Sequence, residues 1–357
     1  MQIADIRRWL RERGALPVHE ERVLRAWTAA QPLDAGPRRK AAADFLPLAL
    51  RRDLPALSEQ LAGLARIRSE HPGADGSARL LVDLADGQTV ESVLLPRDGV
   101  CVSTQVGCAV ACQFCMTGRD GLLRQLGSAE IVAQVVHARA RRLVRRVVFM
   151  GMGEPAHNLD NVLAAIDLLG TAGGLGHKNL VFSTVGDRRA FERLPQQTVK
   201  PALALSLHST DGELRARLLP NAPRIDPAEL VELGEAYARA VGYPIQYQWT
   251  LLAGVNDSEA EMDAIVRLLT GKYAMMNLIP FNPVEGSGFD RPSAERAAAL
   301  AESLNRRRIL TRLRQSAGQD VEGACGQLRA RLATGISVES LKSGRRASQR
   351  QVIGNSQ

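Results

Sequence analysis

Apolar residues in the first 75 positions recur at helical spacing. Ile6 and Leu10 lie one helical turn apart, and a second set of apolar positions ends at Trp27. The run Pro72-Gly73-Ala74-Asp75-Gly76 is typical of a linker, because proline and glycine interrupt regular structure. We therefore predict a helical N-terminal accessory domain over residues 1–75.

Residues 76–100 show the pattern of a β-hairpin. Apolar residues at 80–82 and 90–94 flank the dipeptide Asp86-Gly87, which is a common hairpin turn. The sequence therefore predicts a β-hairpin extension in front of the main domain.

Apolar runs and helical segments alternate over residues 101–335. Strands are predicted over 100–106, 147–150, 178–184, 201–206, 244–252 and 275–281. The clearest helices are predicted over 129–143, with Ser128 as N-cap, and over 159–169. Six strand–helix units favour an α/β fold in which a parallel sheet curls into a partial (β/α)6 barrel. Chemistry in such folds lies at the C-terminal ends of the strands.

Composition and charge add a possible partner. The chain has 357 residues, a net charge of +8 and a pI near 9.6, which favours a polyanion such as nucleic acid. An arginine-rich, GC-biased genome would produce the same excess. The basic, polar stretch over 336–357 is predicted to be a flexible tail. Neither a signal peptide nor a membrane-length apolar run is present, so we expect a cytosolic protein.

Three cysteines follow the first predicted barrel strand within one short loop. Cys108, Cys112 and Cys115 have the spacing Cys-x-x-x-Cys-x-x-Cys. Three thiolates can bind three irons of a four-iron cluster and leave the fourth iron open to a substrate. A structural zinc site would need a second ligand pair, and a redox Cys-x-x-Cys motif would leave Cys108 unused. The spacing therefore favours an iron–sulfur cluster.

Polar motifs follow four of the later strands. Residues 151–155 read Gly-Met-Gly-Glu-Pro, residues 183–186 read Ser-Thr-Val-Gly, and residues 206–208 read Ser-Leu-His. Asn282 follows the sixth strand. Glycine lets a backbone approach a ligand closely, and Glu154 can accept a hydrogen bond from an ammonium group. Each motif alone is explained by a tight turn or a structural histidine, but their shared position predicts a ligand site.

Two cysteines remain outside the triplet. Cys325 is flanked by Ala324 and Gly326, which shield a thiol poorly, so a reactive thiol is plausible there. Cys101 precedes the triplet by seven residues. Each of the two is equally well explained as a small buried apolar side chain.

Six stretches of the chain, in order, resemble the RlmN/Cfr family of radical S-adenosylmethionine (SAM) RNA methyltransferases. The cysteine spacing, with an aromatic residue before the last cysteine, is similar to that of the radical SAM superfamily as a whole. The six stretches are residues 101–108, 151–155, 206–208, 254–258, 277–283 and 324–328. The resemblance implies a partial radical SAM barrel over the predicted core.

The resemblance also implies roles by position. The three loop cysteines would bind a four-iron four-sulfur cluster whose open iron chelates SAM. The SAM contacts would be Gly153, Glu154, Ser183, Ser206, Leu207, His208 and Asn282. Cys325 would carry the methyl group, Cys101 would resolve the protein–RNA adduct by forming a disulfide with Cys325, and Glu91 would accept a proton.

The implied activity is methylation of an adenine carbon in ribosomal or transfer RNA. Carbon 2 is favoured, and carbon 8, as in Cfr, is the alternative. One SAM would methylate Cys325, and a second would supply the radical that removes hydrogen from the methylcysteine. The implied partners are RNA and an electron donor such as flavodoxin or ferredoxin, and we expect a monomer with no membrane contact.

Two other interpretations stay open. A radical SAM enzyme with a non-RNA substrate would keep the cluster and would not need Cys325. An RNA-binding iron–sulfur regulator is disfavoured by the intact SAM motifs. The chain departs from the common RlmN pattern over 116–126, 219–223 and 246–250, and these departures concern the RNA target rather than the chemistry.

Overall fold

The computed structural model describes residues 1–36, 41 and 45–330 of the chain. Within these ranges it contains a mixed ten-stranded sheet, a separate two-stranded sheet and ten α-helices. The tail predicted over 336–357 and the last residues of the predicted core, 331–335, lie outside the described residues.

Three α-helices form the N-terminal part: α1 (Ile3–Glu12), α2 (Pro17–Thr28) and α3 (Leu48–Gly63). Their apolar residues recur every three or four positions, so each helix buries one face. Leu10 and Leu24 are fully buried in the main core. The predicted helical N-terminus is therefore confirmed as far as residue 63.

The prediction of a helical region up to residue 75 is wrong in its last part. Residues 65–72 form strand β1 (Ala65–Pro72), and a tight turn, in which Gly73 N donates to Ser77 O, stands where a linker was predicted. Buried or half-buried positions alternate with exposed ones along β1, as in an edge strand with one solvated face. Its charged residues hide the apolar alternation that marks a strand in the sequence.

The predicted hairpin is confirmed and is part of the main sheet. β2 (Ala78–Leu84) and β3 (Thr89–Leu95) pair antiparallel. Gly87, with φ of +83°, provides the left-handed backbone that the turn requires. β3 also pairs antiparallel with β4 (Gly99–Cys101), so the hairpin extends the barrel sheet without a break.

The first predicted barrel strand is split in two. After β4 the chain leaves the main sheet and forms β5 (Gln105–Gly107), which pairs antiparallel with β6 (Leu122–Gln125). The loop between β5 and β6 contains the three predicted cluster cysteines. A single strand over 100–106 was predicted because residues 102–104 continue the extended pattern.

Parallel strands build an open barrel. From β4 the order continues through β7 (Arg146–Phe149), β8 (Leu180–Thr184), β9 (Ala202–Ser206), β10 (Ile245–Leu251), β11 (Ala274–Pro280) and β12 (Thr311–Leu313). β1 and β12 are the edges of the sheet, so hydrogen bonds do not close the barrel. The predicted α/β fold with a partial barrel is confirmed. The short, polar strand β12 was not predicted, because three residues are too few to show the alternation of apolar and polar positions that marks a strand.

Helices cover the outside of the barrel: α4 (Ser128–Arg139), α5 (Leu159–Gly170), α6 (Arg188–Arg193), α7 (Gly212–Leu218), α8 (Pro227–Val241), α9 (Glu259–Leu269) and α10 (Ala294–Arg306). Both predicted helices are present, although α4 ends at residue 139 rather than 143. Gly127, not Ser128, is the N-cap of α4. The Ser128 hydroxyl instead accepts a hydrogen bond from Ile3 N at 2.9 Å, which fixes α1 to the barrel.

A buried amide holds the strands that lead into the cysteine loop. Gln134 Oε1 accepts hydrogen bonds from Ser92 Oγ and Ser103 N, both at 2.8 Å, and Gln134 Nε2 donates to Ser103 O at 2.9 Å. The Ser103 hydroxyl donates to Glu91 O and accepts from Met152 N. One side chain of α4 therefore ties β3 to the segment after β4, where the cysteine loop begins.

We expect Gln134→Leu to destabilise the fold by about 3 kcal/mol, because it leaves three buried polar groups without partners. Urea unfolding followed by circular dichroism measures this loss. Gln60→Leu, at an exposed position of α3, is the matched control and should stay within about 0.5 kcal/mol of the wild type. Equal stability of the two variants would contradict the proposed anchoring.

Candidate active site at the C-terminal strand ends

One cavity of about 170 Å³ lies at the C-terminal ends of the parallel strands. Parallel strands end at the same edge, so residues far apart in sequence meet there. Ten of the predicted site residues line the cavity: Cys108, Cys112, Cys115, Gly153, Glu154, Ser183, Ser206, His208, Asn282 and Cys325. The structure therefore brings the cysteine loop and most of the predicted SAM contacts into one space.

Backbone hydrogen bonds and apolar packing fix the cysteine loop. Cys108 N donates to Gly121 O at 2.9 Å, and Gln113 N donates to Leu218 O at 3.0 Å at the end of α7. A small apolar cluster surrounds the loop, with Val110, Phe114, Leu218, Leu252 and Phe281 among its members. The loop is therefore preformed around its thiols.

Burial opposes the ionisation of two of these thiols, Cys108 and Cys112, in the absence of metal. Burial raises the pKa of Cys108 to about 12. Burial also raises the pKa of Cys112, and the neighbouring Cys115 and Cys108 raise it further. Thiolates here need a cationic partner, which irons provide. Among the described residues no group of His, Cys, Asp and Glu could hold a single metal ion. A four-iron cube binds its cysteines at separate corners, so the donor set fits a cluster.

Glu154 points a buried carboxylate at the cavity. Its Oε1 accepts from Ala156 N and its Oε2 accepts from Val185 N, both at 3.0 Å. Burial raises the pKa of Glu154 to about 7. The neighbouring Gly153 has φ of +106°, and a Cβ there would lie 2.6 Å from Gln105 Cβ, so only glycine fits. The carboxylate is ready for a cationic hydrogen-bond donor, such as an amino group.

Asn282 offers a free acceptor to a ligand. Its Nδ2 donates to Ser316 Oγ at 2.9 Å and to Cys325 O at 3.0 Å. Its Oδ1 is buried and has no hydrogen-bond partner among the described residues. An unsatisfied buried acceptor is costly, and a bound ligand with an N–H or O–H group would remove that cost.

His208 is held as a neutral imidazole. Its backbone is left-handed, with φ of +61°, and its Nδ1 accepts from Thr250 N at 3.0 Å. Nε2 therefore carries the ring proton and can donate to a ligand. The ring meets Phe114 edge to face at 4.8 Å between centroids. Burial lowers the pKa of His208 to about 3, and the nearby Arg215 lowers it as well.

Cys325 and Cys101 lie close to one another in different environments. Cys325 is accessible from the cavity, although other protein atoms surround it and this burial raises its pKa. Cys101 is buried at the end of β4, and burial together with the nearby Cys325 raises its pKa. Both are free thiols. The structure therefore does not support the predicted disulfide.

Besides Cys101, two predicted site residues do not line the cavity. Glu91 is fully buried, where its Oε1 accepts from Arg79 Nη1 at 2.6 Å and its Oε2 accepts from Arg329 N at 3.0 Å. Burial raises the pKa of Glu91, and Arg79 opposes this rise. Leu207 is also fully buried, so it can reach a ligand only through its backbone. The family motif places both residues in sequence but does not specify these contacts.

Sequence reasoning missed several residues around the cavity. Gln248 and Thr250 of β10 line it, because alternate residues of that strand face the barrel interior. Phe114 also lines the cavity, where its ring meets that of His208. Arg215 lies behind the cavity wall, where its Nη2 donates to the carbonyl oxygen of Ser206. The strand alternation could have identified Gln248 and Thr250, whereas no pattern in the sequence marks an arginine of α7 as buried.

We expect His208 to contribute a loss of apoprotein stability as pH falls below 6.5, whereas Glu154, whose pKa is raised to about 7, contributes a gain over the same range. The folded pKa of His208 is depressed, so the unfolded chain takes up a proton that the folded chain excludes. Between pH 7 and pH 5 this contributes a loss of roughly 2 kcal/mol, which His208→Asn should abolish. Asparagine tolerates the left-handed backbone and can accept from Thr250 N. Urea unfolding at several pH values measures the difference.

The matched control for this experiment is His177→Asn, at a half-buried position outside the cavity. It should keep the pH dependence of the wild type. If the free energy of unfolding changed equally for His208→Asn and the wild type between pH 7 and pH 5, the assigned state of His208 would be wrong.

Known proteins match the chain over almost its whole length. A family model described as the radical SAM superfamily matches residues 102–265. A protein of Aromatoleum aromaticum named probable RNA methyltransferase is 74% identical over 332 residues, 93% of each chain. A protein of Dechloromonas aromatica with the same name is 66% identical over 355 residues, covering 97% of this chain and 99% of the relative.

A solved structure agrees with these relatives. The crystal structure of a radical SAM methyltransferase from Sphaerobacter thermophilus superimposes with a TM-score of 0.80 at 35% identity, covering 93% of this chain and 98% of that one. The fold, the cysteine loop and the relatives agree: the chain belongs to the radical SAM superfamily and, within it, to the RlmN/Cfr-like family of methyltransferases.

Proposed function

We propose that this methyltransferase transfers a methyl group to an adenine carbon of RNA, carbon 2 being favoured, and that Cys325 carries the group. The single observation that carries the proposal is that Cys325 opens into the same cavity as the three loop cysteines and the SAM-contact residues. A radical SAM enzyme without a methyl-carrying cysteine would have no need for a thiol at that point.

Different residues of the cavity would bind the cluster and SAM. Cys108, Cys112 and Cys115 would hold the four-iron four-sulfur cluster. Glu154 would accept from the amino group of SAM, and Asn282 Oδ1 would accept a further ligand hydrogen bond. Gly153, Ser183, Ser206, the backbone of Leu207 and His208 complete the proposed contact set. When bound, the cluster and SAM supply the electron and the carbon radical that a poorly nucleophilic adenine carbon requires.

The loop of Cys325 is held against the cysteine loop. Met116, which directly follows Cys115, donates its backbone N–H to Gly326 O at 2.7 Å. Asn282 Nδ2 donates to Cys325 O. These contacts support the carrier role, because a methyl group bound to the thiol would lie inside the cavity that the thiol lines. Apolar side chains pack around the cysteine loop on one side of that space.

Cys101 and Glu91 would act after the methyl group has reached the base. Cys101 lies near Cys325, so its thiol is the candidate group for releasing the methylated RNA from the protein–RNA adduct. Glu91 would take the proton of the adenine carbon. In the present arrangement Arg329 N occupies its carboxylate, so Glu91 can serve this role only after residues 329 and 330 move away.

Several features support RNA as the substrate. The relatives are named RNA methyltransferases. Burial lowers the pKa of Arg146 and of Arg314. Repulsion among neighbouring arginines lowers both further: Arg312 acts on Arg146, and Arg312, Arg146 and Arg97 act on Arg314. None of the four forms an ion pair in the part of the chain that the structure describes. Phosphates would neutralise such a group.

The remaining details of the proposal concern substrates and partners. The target is an adenine in ribosomal RNA, transfer RNA or both, two SAM molecules are used per turnover, and flavodoxin or ferredoxin provides the electron. Carbon 8 is the alternative position for the methyl group. As for membrane contact, no helix within the described residues combines the length and apolarity needed to cross a bilayer.

We expect Cys325→Ala to abolish RNA methylation while the iron content and the reductive cleavage of SAM persist, because the thiol carries the methyl group but binds no iron. Mass spectrometry of nucleosides from ribosomal and transfer RNA, which separates 2-methyladenosine from 8-methyladenosine, measures the product. A deletion strain complemented with each variant provides the RNA.

Two comparisons make this experiment decisive. Cys112→Ala should lose the cluster and both reactions, whereas Cys101→Ala should keep SAM cleavage and trap the enzyme on RNA. RNA methylation by Cys325→Ala would refute the carrier role. If the deletion strain lacked no methyladenosine in either RNA pool, the RNA assignment itself would fail.

We expect Arg312→Gln to weaken RNA binding and to reduce the slope of log affinity against log salt by about 1, the effect of one lost phosphate contact. Filter binding between low and moderate salt measures the slope. Arg267→Gln, at an exposed position of α9, is the matched control and should leave the slope unchanged. An unchanged slope for Arg312→Gln would remove this arginine group from the RNA surface.

A further inference from the structure

Arg215 of α7 is a buried cation directly behind the cavity wall. Its side chain is almost inaccessible, with a residue exposure of 3%. Its Nη2 donates to Val185 O and, at 3.3 Å, to Ser206 O. Its Nε is buried and has no hydrogen-bond partner among the described residues. The guanidinium is thus only partly satisfied by neutral carbonyl groups.

The two carbonyl groups belong to the strand ends that shape the site. Val185 follows β8, and its N–H donates to Glu154 Oε2 at 3.0 Å. Ser206 ends β9 and lines the cavity. One guanidinium therefore ties two neighbouring strand ends together and, through Val185, supports the carboxylate that points at the ligand space.

No carboxylate forms an ion pair with Arg215 within the described residues. The groups that interact with it electrostatically and can become negative are Cys112 and Glu154, and burial lowers its pKa to about 10 against their influence. The facing imidazole of His208 is neutral. A cation buried without a negative partner costs several kcal/mol. The negative charge of a cluster bound by the three cysteines would offset this cost.

We infer that Arg215 is a positioning residue for the cluster site: its buried charge stabilises the thiolate-bound cluster, most strongly when the cluster is reduced. Adding an electron adds a negative charge, and a fixed nearby cation in a water-poor site favours the more negative state. The inference rests on the proposed cluster at the three loop cysteines. A purely structural role, the tie between two strand ends, is the competing explanation.

Two substitutions separate charge from geometry. Arg215→Gln removes the charge but keeps a donor for a carbonyl group. Arg215→Lys keeps the charge but replaces the planar guanidinium, whose Nη2 bonds both carbonyl groups, with a compact ammonium group. The exposed Arg217 on the same helix gives the matched control, Arg217→Gln. Each protein is reconstituted with iron and sulfide, and the cluster is titrated with a mediated reductant and followed by electron paramagnetic resonance.

We expect Arg215→Gln to lower the ratio of reduced to oxidised cluster at a fixed potential about tenfold, which corresponds to about 59 mV for one electron. Arg215→Lys should stay within about threefold of the wild type, and Arg217→Gln should match it. Equal potentials for Arg215→Gln and the wild type would overturn the inference, whatever the effect on stability.

The outcome stays informative if a variant does not load the cluster. Loss of iron in Arg215→Gln and in a second neutral variant, Arg215→Met, with retention in Arg215→Lys, supports the need for charge. Loss in all three, including Arg215→Lys, overturns it in favour of the structural tie. If the wild type itself bound no iron–sulfur cluster, the proposed function would fail, and that result is distinct from a failure of this inference.

Discussion

The contact between the segment around Cys325 and the cysteine loop is the constraint on which the site depends. Met116 N donates to Gly326 O at 2.7 Å, and Thr117 Oγ1 donates to Leu328 O at 2.8 Å, across a separation of more than two hundred residues. Such contacts form only when every strand between them is in place. The same contact completes the cavity wall, covers Glu91 and sets the position of the proposed methyl carrier. The chemistry is therefore available only to a fully folded chain.

The protonation states of the ionisable groups are the second constraint on the site. In the absence of ligands, burial shifts three of its ionisable groups toward their neutral forms: it raises the pKa of Cys108 to about 12 and that of Glu154 to about 7, and it lowers that of His208 to about 3. Loading the proposed cluster would reverse this state for the thiols and release their protons, so cluster assembly and protonation are linked. Arg215 is the exception, since it keeps its charge throughout.

The sequence predicts much of this arrangement because parallel strands impose it. Once six strand–helix units are recognised, polar motifs after the strands must meet at one edge, and Glu154, Ser206 and Asn282 do meet there. The failures have physical causes. β1 is an edge strand whose charged residues hide its alternation. The burial of Arg215 depends on the packing of α7 against two strand ends, which no local pattern encodes.

The unequal accessibility of the two remaining cysteines has a consequence for the enzyme outside turnover. Cys325 is open to solvent through the cavity, whereas Cys101 is buried beside it and its thiol resists ionisation. Thiolate is the form that oxidants and electrophiles attack. Burial raises the pKa of both thiols, so accessibility separates them: an oxidant or electrophile that enters the cavity should reach the sulfur of Cys325 before that of Cys101.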